Sequence, residues 1–411
     1  MSQTKVTDNL RDTTQLDGAK ITTGTIPEAR ITSLTASKLS GALPAISGAA
    51  LTGLPASGDK RNFIIDGDFT QWPEGTTVTA PSSNKYGPAL WHASLSGGHV
   101  FNYVKETSVL PTLAQSGHSS KQCMKIDVTT AESSVASGER FLLDYVITGT
   151  DYQRLEGQEV TLSFWVRSGL TGTFYVTFKN GNDNRFYMSA QTINAVNTWE
   201  KKTITLTLDT ADGATWLYTE ADQGLTIRIT LMSGTDRQDS GAVNTWLTGA
   251  SKDSKSDQTN FLSDTSKDFY LSQVGLYLGA TAPTFTPLPL STIKQQLEYY
   301  IQVYGGSGNY EIISRGAAKS ATLHQWELPF RNPMRVAPTA TVNNTPGNFW
   351  VRDAAGGGGI APTTVTSTVD NITAHSCLIN GTTGTGFAAG EPNCLMNSGT
   401  TSGTIKFDAR H

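Results

Sequence analysis

The chain has 411 residues, 37% hydrophobic and only 16% charged, with 40 Gly and 16 Pro, a length for two or three domains. A formal net charge of -4 excludes the broad basic patch that nucleic acid or an acidic membrane surface demands. Sparse charge with abundant Gly, Thr, Ser and Asn argues against a helical enzyme and for a β-rich chain with many turns.

Residues 1–18, MSQTKVTDNLRDTTQLDG, are polar and lack the apolar run of a signal peptide. No later stretch approaches the roughly 18 apolar residues of a membrane span. The expectation is a soluble chain made in a cytosol. Between Lys20 and Ala56 a phrase of apolar residue, hydroxyl, Gly, apolar residue and Pro returns at Ile21–Pro27, Leu39–Pro44 and Leu51–Pro55. Gly and Pro break helix and wide sheet alike. A narrow chain of this kind cannot bury its Ile and Leu side chains alone, whereas three copies side by side can. Residues 1–58 are therefore expected to form a thin, trimerising shaft.

Residues 59–290 read as an antiparallel β-domain. VTLSFWVRS from Val160 sets Leu162, Phe164 and Val166 against Ser163, Trp165 and Arg167, and the next run sets Phe174, Val176 and Phe178 against Tyr175, Thr177 and Lys179. Asn180-Gly181 predicts a hairpin turn after it. Further alternating runs start at Trp199, Leu225 and Lys267, and short strands at this spacing predict a two-sheet sandwich. Residues 291–411 open with the clearest helix, STIKQQLEYYIQVY from Ser291. There Thr292 with Gln295 fits a capping box, and Ile293, Leu297, Ile301 and Tyr304 recur at helical spacing. β-like runs (ATLHQWELPF, APTATVN) and the Gly-rich stretch at 356–359 follow.

Cys123, Cys377 and Cys394 have neither the pairing of a disulfide framework nor metal-ligand spacing, so buried structural thiols are expected. The six histidines (His92, His99, His118, His324, His375, His411) show no paired spacing, and nucleophile-elbow, zincin, P-loop and dinucleotide fingerprints are absent. Sequons at Asn371 and Asn380 are read as chance matches. Asp and Glu are plentiful, which leaves a glycosidase-type carboxylate pair open.

NFIIDGDFTQWPEGT, VTLSFWVRSGLTGTFYVTF, NTWEKKTITLTL and DFYLSQVGLYLG, within residues 61–280, resemble the jelly roll of carbohydrate-binding modules, an adhesive unit of glycan-handling and phage tail proteins. LEYYIQVYG at Leu297, LPFRNPMRVAPTATVN at Leu328 and the closing IKFDAR resemble the module that follows such jelly rolls in tailed-bacteriophage tail fibres. Many of those carry Cys-Gln-Arg-Tyr-Tyr where this chain has Leu-Glu-Tyr-Tyr. GALPAISGAALTGLPA resembles a virion-proximal shaft. The resemblance implies a mainly β homotrimer in three parts: an attachment shaft (1–58), a jelly-roll domain (59–290) and a C-terminal tip of one helix plus β structure (291–411). It also implies a place in the virion, docking to other tail or adaptor proteins, and attachment to host polysaccharide or lipopolysaccharide without cleavage. The alternative is a tailspike-type depolymerase. Neither nucleic acid nor membrane insertion is expected.

Two site sets follow. Glycan binding needs an aromatic face flanked by planar hydrogen-bonding groups. Trp165, Arg167 and Tyr175 are expected on one face of neighbouring strands, with Trp72, Trp91, Trp199, Trp216 and Trp246 as further aromatics. In similar jelly rolls, acidic residues where the first and last strands adjoin hold a structural calcium ion. That gives Asp66, Asp68 and Asp268 as a candidate Ca²⁺ set, beside the simpler reading of turn carboxylates that accept backbone N–H bonds. No cofactor is required.

Overall fold

The structure, a computed structural model, describes residues 61–210, 216–343, 345, 347–353, 369–384, 386–398 and 403–411. The expected shaft and its trimer contacts lie outside the described residues, as does the Gly-rich stretch at 356–359.

The molecule is mainly β. In chain order come β1 (Thr77–Thr79), β2 (Lys85–Tyr86), β3 (Trp91–Ser96), β4 (Val100–Glu106), α1 (Leu113–Ser116), β5 (Cys123–Thr130), β6 (Arg140–Thr148) and α2 (Gly149–Gln153). Then follow β7 (Glu159–Ser168), β8 (Gly172–Asn180), β9 (Arg185–Ile193), β10 (Glu200–Thr207), β11 (Gln223–Ser233), β12 (Trp246–Thr248) and β13 (Phe269–Leu278). Two antiparallel sheets result, β1-β4-β5-β13-β7-β10 and β12-β9-β8-β11-β6-β3-β2. The chain crosses repeatedly between the two sheets, as in a jelly roll, with β2–β3, β4–β5, β8–β9 and β11–β12 staying within one sheet. The inner faces supply the core: Leu162, Phe164, Val166, Phe174, Val176, Phe178, Ile227, Ile229 and Leu231 are each at most 1% exposed. Burying side chains of this kind contributes about 1.5–3 kcal/mol each.

Helix α3 (Leu290–Glu298) follows, then β14 (Ile301–Tyr304), β15 (Ile312–Ala318), β16 (Leu323–Pro329), β17 (Thr339–Val342), β18 (Phe349–Asp353), β19 (Val369–Asp370), β20 (Ser376–Thr382), β21 (Pro392–Asn397) and β22 (Ile405–Asp408). These strands form the antiparallel sheets β14-β22-β17 and β18-β21-β15-β16-β20-β19, around a second core with Trp326, Val351, Leu395 and Phe407 at its centre.

Two local expectations are corrected. The helix stops at Glu298, and Ile301 and Tyr304 lie on β14, which pairs with β22 from Ile301↔Asp408 to Tyr304↔Ile405. Over four residues the alternation of Ile301 and Val303 suits a strand as well as a helix, and the ladder decides between them. The Thr292/Gln295 capping box does not form. The helix starts earlier, at Leu290, with Pro289 in the N-cap position and no side-chain cap, while Thr112 and Gln115 make that motif on α1. The hairpin expected at Asn180-Gly181 does form: β8 and β9 pair antiparallel across residues 181–184, with Asn180 Oδ1 accepting from the Asn184 and Arg185 amides at 3.1 Å each. Gly181 is needed there for space: a Cβ would stand 2.1 Å from the Gln223 carbonyl oxygen.

Residues 56–411 form one compact unit, and a polar joint ties the second set of sheets to the edge of the sandwich at β2 and β3. Glu74 accepts from Lys406 Nζ at 2.9 and 3.0 Å and from Arg410 Nη2 at 2.5 Å. The Arg410 guanidinium stacks 3.9 Å from the Tyr86 ring centroid and donates to the Ala89 carbonyl. Tyr86 donates its hydroxyl proton to the His411 carbonyl at 2.7 Å. Arg335 bridges the Ala409 and Glu220 carbonyls. Burial alone would raise the Glu74 carboxyl, but Lys406 and Arg410 outweigh it and hold it at about 2.

Candidate functional site

The seven-stranded sheet carries a polar row on its outer face. Arg228 of β11 is flanked by the core residues Ile227 and Ile229, so strand alternation turns it outward. In register beside it lie Asp144 on β6, His92 on β3 beyond that, and Thr177 of β8 on the other side. Arg228 Nε and Nη2 each donate to one Asp144 oxygen at 2.7 Å, and Nη1 donates to Asp253 Oδ1 at 2.6 Å. Arg237 closes the chain on the other Asp253 oxygen at 2.5 Å. Burial alone would lower the Arg228 pKa, but the charges of Asp144 and Asp253 more than reverse that and raise it.

Asp253 arrives on the long segment between β11 and β13, which packs on this face against β8 and β11. Thr230 Oγ1 donates to the Asp253 carbonyl, and Tyr175 donates to Asp257 Oδ1 at 2.5 Å. Beside Arg228 lies a cavity of about 190 Å³, lined among others by Asn84, His92, Lys179, Gln223, Thr226 and His411. Its charges cancel in pairs. Arg228 and Arg237 face Asp144 and Asp253, and Lys179 Nζ meets Asp183 Oδ1 at 2.5 Å. Burial lowers the His92 imidazole, and it lowers that of His411 to about 4 with help from Arg335 and His92, so both rings are neutral at pH 7. His92 Nδ1, Thr226 Oγ1 and His411 Nε2 are buried without a hydrogen-bond partner. Orphaned polar atoms converging on one cavity are the mark of a site that a polar ligand or water completes. The arrangement offers neutral, directional donors and acceptors, the needs of a polyhydroxylated molecule.

The sequence-predicted set divides. Trp165 and Arg167 do share a face, the outer side of the six-stranded sheet. There Trp165 packs with Cys123, Trp199 and Tyr270, and Arg167 stacks 5.0 Å from the Tyr270 ring centroid. Tyr175 does not join them. β8 lies in the other sheet, and Tyr175 is 2% exposed in a cluster with Phe186 and Met188. Trp91 and Trp216 are core residues, each 1% exposed. The proposed calcium set is also separated. Asp66 accepts from the Thr70 and Gln71 amides at 2.8 Å each, as a turn carboxylate. Asp68 accepts from Ser120 Oγ at 2.6 Å. Asp268 pairs with Lys125 at 2.9 Å. The turn at Gly67 packs on a bulge in β13 at Gln273–Val274 instead of on the strand's start, on the order of 15 Å along the strand from Asp268. Among the described residues no group of three or more His, Cys, Asp or Glu side chains is placed to hold a metal ion. The three cysteines are free and buried, and burial pushes the Cys377 thiol up to about 12.

Arg228, Asp144 and Asp253 did not emerge from sequence reasoning. The available signal was a lone charged residue between Ile227 and Ile229, and another between Leu143 and Tyr145.

No family model matches the chain, and no curated protein matches it. Several solved structures resemble it. A carbohydrate-binding module of the CBM4 type shares 13% identity over 53% of this chain and 100% of its own, at a TM-score of 0.27. The family 11 carbohydrate-binding module of cellulase Lic26A-Cel5E from Clostridium thermocellum shares 13% identity over 50% of this chain and 95% of its own, at 0.25. The enzymatically active domain of bacteriophage CBA120 tailspike protein 4 shares 11% identity over 49% of this chain and 22% of its own, at 0.26. Likeness at this level carries no residue-by-residue correspondence.

Proposed function

We propose that this chain is a glycan-binding adhesin of a tailed-bacteriophage tail fibre, attaching the virion to host polysaccharide or lipopolysaccharide without cleaving it. The observation that carries the binding is the charge-balanced cavity beside Arg228, with three orphaned hydrogen-bonding atoms. A neutral sugar brings hydroxyls that both donate and accept, and so completes those atoms without stranding a charge. The carboxylates nearest the cavity support the non-cleaving form. Asp144 and Asp253 are both committed to Arg228, whereas a glycosidase acid must hold a proton. The virion setting and the trimer rest on the resemblance of residues 297–305, 328–343 and the opening repeat.

The test is a glycan array with the full chain, then calorimetry on the hits with Thr226→Val and Lys179→Gln. Binding should weaken about tenfold in Thr226→Val, the loss of one well-placed hydrogen bond. Unchanged binding in both variants would remove the cavity from the reading, and sustained release of reducing ends from host cells would replace the adhesin with a depolymerase. A monomer by sedimentation at micromolar concentration would refute the trimer.

A further inference from the structure

We propose a second, independent binding site on the outer face of the sheet β18-β21-β15-β16-β20-β19, for a saccharide carrying a negative charge. The register builds it. Arg352 of β18 lies opposite Cys394 of β21, which lies opposite Arg315 of β15. The two arginines therefore stand two strands apart on one face, roughly 10 Å between their backbones. Both side chains are exposed, and neither makes a hydrogen bond or ion pair with a described residue. Glu327 sits opposite Arg315 on β16 without an ion pair to it. The chain's net charge is negative, and every other arginine described in the polar row and the joint is held by carboxylates, carbonyls or both. Two unsatisfied guanidiniums side by side are thus the exception.

The adjoining row is apolar. Trp350 lies opposite Met396, which lies opposite Ile312. Ile312 is 46% exposed, and Tyr310, 52% exposed, leans on the Trp350 ring at 5.5 Å between centroids. A cavity of about 310 Å³ lies along the arginine row and meets the apolar row at Ile312; Arg315, Arg352, Asn393 and Cys394 are among its lining residues. That is the lower end of the range for small-ligand sites.

Charge and shape together choose the occupant. A guanidinium fork matches a carboxylate or phosphate in planar, bidentate fashion, and an aromatic-aliphatic strip suits the C–H face of a pyranose ring. A ring bearing one anionic group spans the gap between the arginines. The anionic group is a carboxylate or a phosphate, two forms of one recognition chemistry. The site is separate from the cavity beside Arg228, whose charges cancel and which suits a neutral sugar.

The experiment titrates the full chain with glucuronate, galacturonate and glucose 6-phosphate, with glucose and inorganic phosphate as controls, followed by calorimetry and by chemical shifts of labelled arginine side chains. The uronates or the sugar phosphate should bind, more weakly as salt rises, and the preference between them identifies the anionic group. Arg315→Gln and Arg352→Gln should each weaken binding about tenfold. Lys179→Gln, in the other cavity, should leave it unchanged. Both arginines are exposed, so neither variant threatens folding, and unchanged melting curves verify this. Glucose binding that weakens in the arginine variants as much as uronate binding does, undiminished binding of the anionic probes by the double arginine variant, or no binding of any anionic probe overturns the proposal. A sedimentation shift on Arg352→Glu with flat uronate titrations also overturns it and assigns the face to a second copy of the chain. Loss of neutral-glycan binding in Thr226→Val with intact uronate binding would separate the two sites.

Discussion

Arg228 is positioned so that its removal costs more than its presence gains. Asp144 and Asp253 are 3% and 0% exposed; Arg228 pairs with both, and Arg237 with Asp253 as well. Arg228→Met would leave two carboxylates buried beside each other with only Arg237 in reach. Uncompensated buried charge of this kind destabilises by about 3–5 kcal/mol, so urea unfolding should show a loss of that size. Replacing Arg228, Asp144 and Asp253 together with apolar residues of similar volume should recover most of it, and a triple variant as weak as the single one would contradict this account. At the same scale, the aromatic expectations of the sequence failed for a specific reason. Strand alternation fixes which side chains of one strand share a face, and it did so correctly for Trp165 with Arg167. It does not fix which sheet the next strand enters. Tyr175 follows Trp165 by one short connection, yet the chain crosses the sandwich between them. The Arg228 partners were illegible for a related reason, since they lie 84 and 25 residues away in sequence and leave no local signature.

At the scale of elements, the predicted strands from Val160, Leu225 and Lys267 coincide with β7, β11 and β13, because each has a core face that repeats with period two. The end of α3 was not legible: apolar residues at 297, 301 and 304 continue the helical spacing, and only pairing with β22, a partner distant in sequence, switches the backbone to extended form. The loop after β8 is defined by close approach. Gly181→Ala would push a methyl group against the backbone of Gln223, where no flexible side chain can give way. Overpacking of this sort costs about 1–3 kcal/mol. A lower denaturation midpoint with an unchanged slope is expected, and an equal midpoint would show that the β8–β9 loop relaxes freely.

Across the whole molecule, the joint at Glu74 links the sandwich to the second set of sheets, and it is sensitive to acid. Glu74 titrates at about 2 in the fold against an ordinary 4.5. Its contribution is therefore present above about pH 4.5 and is lost as pH falls through 2. His411 titrates at about 4 against an ordinary 6.5, so it favours the docked form above 6.5 and ceases to as pH falls toward 4. Asp66, raised by burial to about 6 from 3.8, acts in the opposite sense: its contribution is present below 3.8 and lost as pH rises through 6. Glu74→Gln should cost about 1.5–3 kcal/mol at pH 7, the range for hydrogen bonds to charged groups, and should flatten the stability profile between pH 4.5 and 2. Hydrogen exchange at Ala89 and Arg410 would report the loosening, and a profile as steep as that of the unmodified chain would show that Glu74 does not carry the acid limb. The joint was not visible in the sequence: Glu74 stands in NFIIDGDFTQWPEGT and Arg410 in IKFDAR, but these motifs are far apart and nothing local pairs one with the other.

The position of β22 has a consequence for how the chain is made. It lies in the middle of its sheet, between β14 and β17, although it is synthesised after both. Ile301 waits on the ribosome for Asp408, an interval of roughly a hundred residues and several seconds of translation. During that interval β14 and β17 have hydrogen-bonding edges with nothing between them, the condition in which neighbouring nascent chains pair wrongly. The sandwich can close first, because all its strands have already emerged, and its β2–β3 edge then serves as the template on which Lys406 and Arg410 dock. Chain growth thus imposes an order of assembly in which β22, made after both of its neighbours, completes their sheet and secures it to the part already folded.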